Sequence, residues 1–141
     1  MTVTVTFTSK AKDYLGDGAL NLNTADLRAI PFTASHTPSV SHDFADDITN
    51  EVTTNGGARV ALTGESWALS GNNGRFDCDD IAWTASSGAL TIRGFALVDY
   101  TGGSADSDRE LICYVVNDAD LVAGDGTQVK FLTPNGLFEI Q

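Results

Sequence analysis

Apolar and polar residues alternate along most of this chain, and an alternation with a period of two predicts β-strands. In the first strand Val3, Val5 and Phe7 alternate with threonines. From residue 51 onward the same pattern predicts strands near 59–62, 65–69, 75–78, 81–85, 89–100, 111–117, 128–132 and 137–140. Turns rich in glycine, asparagine and serine separate these strands every ~8–12 residues, as is typical of sandwiches and barrels. We therefore expect an all-β fold, a single-domain β-sandwich or jelly-roll-like structure with one short helix.

That one short helix is predicted at residues 41–48. Ser41 can cap its first turn, and Phe44 and Ile48 are four positions apart on one helix face. The segment is long enough for two turns at most.

Two other segments depart from the alternation. Residues 10–15 are predicted to form a short helical turn that ends at Gly16 and Gly18. Pro31 lies inside a predicted strand over residues 27–34. Because proline removes a backbone donor, that strand is expected at a sheet edge or with a bulge at the proline.

The length of 141 residues is typical of one domain that folds without a metal or a disulfide. We divide it into an N-terminal strand or arm at residues 1–10 and a β-sandwich domain at residues 11–141.

The charge is strongly acidic, with 8 Lys and Arg against 19 Asp and Glu and a net charge of −11. Phosphate backbones and anionic lipid surfaces are bound through Lys and Arg, so neither nucleic acid nor a membrane is expected as a partner. No stretch approaches the ~20 apolar residues of a membrane helix. The start of the chain has no basic segment ahead of an apolar run, so we expect no secretory signal and assembly in a cytoplasm.

Two cysteines, Cys78 and Cys113, lie far apart and form no Cys-x-x-Cys pair. A thiolate zinc site or a redox motif is therefore not expected. In a reducing cytoplasm they are predicted to be buried free thiols, and a disulfide remains the alternative if the protein later meets oxidising surroundings.

No catalytic motif is present, and we predict that the protein is not an enzyme and binds no cofactor. The two histidines, His36 and His42, lie among serine, threonine and aspartate, a composition typical of protein surfaces. No serine lies in a Gly-x-Ser-x-Gly elbow, and there is no His-Glu-x-x-His. A rival enzyme interpretation would centre on His42 with Asp43 and Asp46.

Two clusters of acidic residues could form binding sites, and for both we favour the interpretation that the carboxylates are solvated on the surface. Asp77, Asp79 and Asp80 could offer oxygens to Ca²⁺, but the spacing of a calcium loop is absent, so no metal is predicted. The second cluster would lie on the predicted helix and just after it, and could alternatively meet basic residues of a partner. Its members are Asp43, Asp46, Asp47 and Glu51.

Six aromatic residues that fall within predicted strands are expected in the core. They are Trp67, Phe76, Trp83, Phe95, Phe131 and Phe138. A stacking platform for sugar or nucleic acid would need exposed aromatics, which this pattern does not predict.

Several segments, in order, resemble a family of small proteins encoded in tailed-phage genomes. The matching runs are 11–18, 20–24, 42–52, 58–64, 76–83, 92–97 and 134–138. This chain has Ala58 where the family usually has tyrosine, and Ile30-Pro31-Phe32 where the family strand usually has Leu-Val-Thr. The resemblance implies a structural component of the virion and supplies no catalytic residues.

Within that family we expect a capsid decoration (cement) protein on the capsid exterior that binds neighbouring capsomers. Its partner would be the major capsid protein, with self-association as a homotrimer on a local symmetry axis. Val3, Val5 and Phe7 are the predicted contact residues, because a terminal strand can pair with the edge of a neighbour. Equally, this strand can be the first of its own sandwich. The alternatives are a tail or head–tail connector component and a carbohydrate-binding host-attachment module.

Overall fold

The computed structural model describes residues 2–141 and shows a small all-β, sandwich-like domain, which confirms the predicted fold class. Strands hold 43% of the residues and helices 11%. The strands are β1 (Val3–Phe7), β2 (Leu27–Phe32), β3 (Val60–Ala61), β4 (Ser66–Ser70), β5 (Asn73–Asp77), β6 (Ile81–Thr84), β7 (Leu90–Asp99), β8 (Glu110–Ala123), β9 (Gln128–Phe131) and β10 (Phe138–Ile140). One α-helix, α1 (Ser9–Asp17), and two 3₁₀ turns, Ala45–Asp47 and Asp106–Asp108, complete the described elements.

One main sheet runs through the molecule in the order β1-β8-β7-β2-β3. Two smaller sheets, β10-β5-β4 and β6-β9, form the second layer. Every strand pairing is antiparallel. The larger apolar core combines residues of the main sheet with residues of both smaller sheets, among them Phe95, Phe76 and Trp83.

β7 is covered on both faces, as its nearly continuous apolar sequence predicts. Phe95 and Leu97 face the larger core, and Ala96 and Val98 face a second, smaller core on the opposite side of the sheet. Gly94 lies at a shift in register between β7 and β8, where a Cβ atom would collide with the carbonyl oxygen of Val115. A residue without a side chain is therefore required for the strands to approach here.

The predicted helix at residues 41–48 is wrong, because only the 3₁₀ turn Ala45–Asp47 forms there. The carboxylate of Asp47 accepts hydrogen bonds from the backbone N–H groups of Asp43 (2.8 Å) and Phe44 (3.3 Å). The carbonyl of Asp43 in turn accepts a bond of 2.9 Å from the N–H of Leu111 in β8. These contacts hold the backbone extended against the sheet and compete with helix formation.

The α-helix of the molecule is instead α1, which extends the helical turn predicted at residues 10–15. Thr8 caps it, since the threonine Oγ1 accepts a bond of 3.2 Å from the N–H of Ala11. Gly18 ends it in the left-handed conformation, at φ 81°.

Pro31 does not place β2 at the sheet edge, because β3 borders β2 on that side. β3 has only two residues, however, and beside Pro31 its place is taken by a loop. The N–H of Val52 in this loop donates a bond of 2.8 Å to the Pro31 carbonyl. The side of Pro31 that lacks an N–H donor therefore faces this loop. The proline removes no hydrogen bond between two strands.

Candidate functional site

The outer edge of β1 carries backbone groups that are free for pairing. The N–H of Thr8 donates to Ile112 (3.0 Å), and the carbonyl of Thr2 accepts from Asp118 (2.9 Å). Because inward bonds alternate along an antiparallel strand, the backbone groups of Val3, Val5 and Phe7 face away from β8. Within residues 2–141 no strand or loop backbone pairs with these groups.

The side chains of these three residues have a different environment from their backbone. Val5 and Phe7 are half-buried and pack against the larger core, where the Phe7 ring meets Phe138 edge-to-face at 4.8 Å. Val3 is 39% exposed, and with Val5 it lines a shallow depression beside Leu132. The segment predicted as an N-terminal strand or arm at residues 1–10 contributes β1 to the main sheet, and Met1 of that segment lies outside the described residues.

Both histidines belong to the loop between β2 and β3 that covers the second core, and His36 is buried, where its sequence neighbours predict a surface position. The Nδ1 of His36 accepts a bond from the N–H of Thr49 (3.2 Å), so the proton of the neutral ring is on Nε2. His42 Nδ1 and the hydroxyl of Tyr114 are 2.6 Å apart. The two imidazole rings are separated by 5.8 Å. Burial, and then the neighbouring His42, lower the pKa of His36.

Among residues 2–141, no hydrogen bond or ion pair joins His42 to Asp43 or Asp46, the residues of the rival enzyme interpretation. The carboxylate of Asp43 pairs with Lys10 (3.6 Å), while the described bond of the His42 ring is to Tyr114. Burial raises the pKa of the Tyr114 hydroxyl, so this group is a poor proton donor to solvent near neutral pH. His42 and Tyr114 are a packed polar pair that joins the loop to β8.

The first acidic cluster disperses into separate contacts. Asp79 accepts a bond from the Thr63 hydroxyl (2.7 Å), Asp80 accepts one from the N–H of Thr133 (2.9 Å), and Asp77 bonds the N–H of the residue that follows it. The pKa of Asp80 is lowered, first by that Thr133 N–H. Over residues 2–141, no three His, Cys, Asp or Glu side chains are grouped to hold a metal ion.

The most extensive polar network was missed by the sequence analysis. Arg59 binds both oxygens of Glu51 (2.8 Å each) and both oxygens of Asp106 (2.7 and 2.8 Å). It also donates to the Tyr100 hydroxyl (2.8 Å), and Arg109 reaches Asp106 at 2.9 Å. Glu51 raises the pKa of Arg59, and Arg59 lowers the pKa of Asp106 to about 2. Arg59 is 41 positions from Tyr100 and 47 from Asp106, so no local sequence pattern predicts this network.

One predicted core aromatic, Trp67, is instead exposed. The other five are buried, whereas Trp67 is 37% exposed. β4 is the edge strand of its sheet, and four of its five residues are exposed, including Leu69 beside the tryptophan. Alternation alone cannot distinguish a strand that ends a sheet from one inside it, which is why the core prediction fails here.

Beside Trp67 lies an open cleft of about 610 Å³. Residues of α1, of the segment that follows the helix, of β4 and of β10 line it. The lining residues are Lys12, Leu15, Gly16, Gly18, Leu20, Asn21, Leu22, Asn23, Trp67 and Ile140. We call this site the Trp67 cleft.

Cys78 and Cys113 are both buried free thiols, as predicted. Burial raises the pKa of Cys78 to about 12 and raises that of Cys113 as well. Neither thiol is activated as a nucleophile, because the reactive form is the thiolate and both groups stay protonated at neutral pH.

No family model matches the chain, and neither a curated protein nor a solved structure matches it. None of the helices in the described part of the chain has the length and apolar character to span a bilayer.

Proposed function

We propose that the protein is a structural component of a tailed-phage particle, most simply a decoration protein that attaches to the capsid exterior. The observation that carries the proposal is the unpaired edge of β1, which offers main-chain hydrogen bonds to a strand of a neighbour. The ordered resemblance to small phage proteins supports the same role.

The β1 edge supports attachment through main chain more than through side chains. Val5 and Phe7 use their side chains to fix β1 onto its own core, so the strand is already ordered before a partner arrives. Binding then costs little conformational entropy, since only the incoming strand must be fixed. A partner strand would pair with the outward groups of Val3, Val5 and Phe7 and cover the exposed Val3 side chain.

Two partners fit this mode of binding, the major capsid protein and further copies of the chain. A ring of three copies on a local symmetry axis would give each copy equivalent contacts, so we propose a homotrimer. The net charge of −11 suits a protein that coats a particle, because like-charged particles stay dispersed. A tail or head–tail connector component would use the same edge and is the alternative.

A proline substitution tests the role of the β1 edge. The N–H of Val5 faces outward, so Val5→Pro removes one outward donor and leaves the bonds to β8 in place. Val5→Ala is the matched control, since it loses the same core packing and keeps the N–H. We expect Val5→Pro to fold like Val5→Ala but to bind capsids, and to self-associate, at least about tenfold more weakly. Equal occupancy of the two variants on capsids would overturn the edge as the contact.

Cryo-electron microscopy of the particle tests the location. A decoration protein occurs in hundreds of copies over the head, whereas a connector occurs in a handful at one vertex. Density for this protein at the tail alone, with a bare capsid, would overturn the decoration role and favour the connector.

A further inference from the structure

Trp67 is exposed because β4 lies at the edge of the β10-β5-β4 sheet, beyond the strands that cover the core. Trp67 lies opposite Phe76 in the register of β4 and β5, and Phe138 lies opposite Phe76 from the other side. Both phenylalanines are buried, so the row they form with Trp67 runs from the larger core out to the surface. Trp67 is the outer end of this row and faces the Trp67 cleft.

A glycine supports the tryptophan ring from behind. Gly74 lies on the neighbouring strand, and a Cβ atom at this position would collide with Cζ2 of Trp67. The ring therefore rests against the backbone of Gly74, which limits its rotation. Such a ring is a rigid platform that loses little side-chain entropy when a ligand stacks on it.

Polar groups surround this platform within the same cleft. The Oδ1 of Asn21 accepts a bond from the N–H of Asn23 (3.1 Å), which orients the Asn21 side chain. In the part of the chain that the structure describes, Asn21 Nδ2, the Asn23 side-chain amide and Lys12 Nζ make no hydrogen bond or ion pair. The cleft thus combines an aromatic face with free donors and acceptors.

We propose that the Trp67 cleft binds a neutral carbohydrate. A pyranose ring has an apolar face of C–H groups, which stacks on an indole, and a rim of hydroxyls, which needs amide and ammonium partners. Trp67 supplies the first, and Asn21, Asn23 and Lys12 supply the second. The volume of about 610 Å³ lies in the usual range of small-ligand sites.

Other ligand classes fit the same cleft less well. A fatty acyl chain would leave the amides and the ammonium group of Lys12 unpaired on burial, which costs free energy. An acidic glycan or a nucleic acid would meet a protein with a net charge of −11 and a cleft whose lining has one cation, Lys12. This inference does not depend on the β1 edge, which lies outside the cleft lining.

Tryptophan fluorescence tests the proposal directly. The chain has two tryptophans, and Trp83 is buried with its indole N–H bonded to the carbonyl of Ala58 (2.7 Å). A ligand-dependent change in emission therefore reports Trp67. The probes are trisaccharides of β-1,4-linked glucose, β-1,4-linked N-acetylglucosamine and α-1,4-linked glucose, followed by a wider glycan array. We expect saturable binding to at least one neutral glycan.

Matched variants separate the site from general stability, with isothermal calorimetry as the readout. Trp67→Ala is expected to weaken binding about tenfold or more, in line with the loss of one stacking contact. Asn21→Ala is expected to weaken it several-fold through one lost hydrogen bond. Leu69→Ala is the control, since Leu69 is on the same strand and 82% exposed but outside the lining. It is expected to bind like the unsubstituted protein.

Three outcomes would overturn the proposal. One is an absence of binding to every glycan at concentrations up to about 10 mM. Another is equal binding by Trp67→Ala and the unsubstituted protein. The third is a loss of self-association in Trp67→Ala without any glycan binding, which would make the cleft a contact between protein chains.

Discussion

The two faces of the main sheet are covered in different ways. One face packs against two further sheets, whose own backbone is hydrogen-bonded between strands. The other face is covered by the loop between β2 and β3, which within the described residues has no regular structure beyond the 3₁₀ turn Ala45–Asp47. We call these the sheet-packed face and the loop-covered face.

The loop covers the small second core with Ala45 and Ile48, and individual polar contacts also fix it to its face. His36 is bonded to Thr49 within the loop, His42 joins the loop to Tyr114 of β8, and Arg59 ties Glu51 to Asp106. Hydrophobic burial is spread over many atoms, whereas such contacts can be lost one at a time. We therefore expect the sheet-packed face to unfold with the whole domain and the loop-covered face to open locally.

The largest expected effect comes from the sheet-packed face. Phe95 is fully buried there and meets Phe131 edge-to-face at 5.0 Å. Phe95→Ala leaves a cavity and is expected to lower the free energy of unfolding by about 3–5 kcal/mol, measured by denaturant titration. A loss below about 1 kcal/mol would mean that this core repacks easily and that the comparison of the two faces is wrong.

An intermediate effect is expected from the Arg59 network. Arg59→Ala leaves two partly buried carboxylates, Glu51 and Asp106, without their cation and is expected to cost about 2–3 kcal/mol. Hydrogen exchange should locate the loss, because the N–H of Val52 becomes less protected while β7 stays protected. Arg93→Ala is the matched control, since Arg93 pairs with one exposed carboxylate and should cost under about 1 kcal/mol. Equal losses of protection in the loop and in β7 would contradict local opening.

The smallest effect is a dependence on pH. The pKa of His36 is lowered in the folded state, so the unfolded chain binds its proton first as the pH falls. Stability from this group is complete above the unfolded pKa of about 6.5 and is lost on acidification toward the folded pKa. We expect the free energy of unfolding, measured by denaturant titration, to decrease between about pH 7 and about pH 5.

A variant isolates this contribution. His36→Phe keeps an aromatic ring beside Phe32 and has no titrating group at this position, so its stability should decrease less over the same interval. The low pKa of Asp106 affects stability only below about pH 4, where the unfolded chain binds a proton at this carboxylate while the folded protein still holds it ionised. An unchanged slope between about pH 7 and about pH 5 in His36→Phe would assign the dependence to another group.

The periodicity of apolar residues predicted those parts of the fold that depend on neighbouring residues in the sequence. The alternation of apolar residues predicted most strands, the coverage of β7 on both faces and the short helical segment that became α1. It failed at residues 41–48, where the contacts of Asp47 and the pairing with β8 outweigh helix propensity. Whether such contacts displace a helix depends on residues that are distant in the sequence, and the local pattern contains no information about them.

The candidate sites were predicted less well, for a similar reason. Val3, Val5 and Phe7 were identified as a strand, but which edge of that strand stays free depends on its pairing with β8. The exposure of Trp67 depends on β4 ending a sheet. The Arg59 network joins residues up to 47 positions apart, beyond the reach of any periodic signal.

The two buried cysteines make the protein a convenient scaffold for site-directed labelling. Alkylating reagents consume thiolates, and neither Cys78 nor Cys113 supplies one at neutral pH while the domain is folded. A cysteine introduced on the surface would then be the dominant reactive thiol, with no need to remove the native pair. A fluorophore at position 69, beside the Trp67 cleft, would convert that surface into an optical reporter, and late labelling of Cys78 or Cys113 would time the unfolding of the domain.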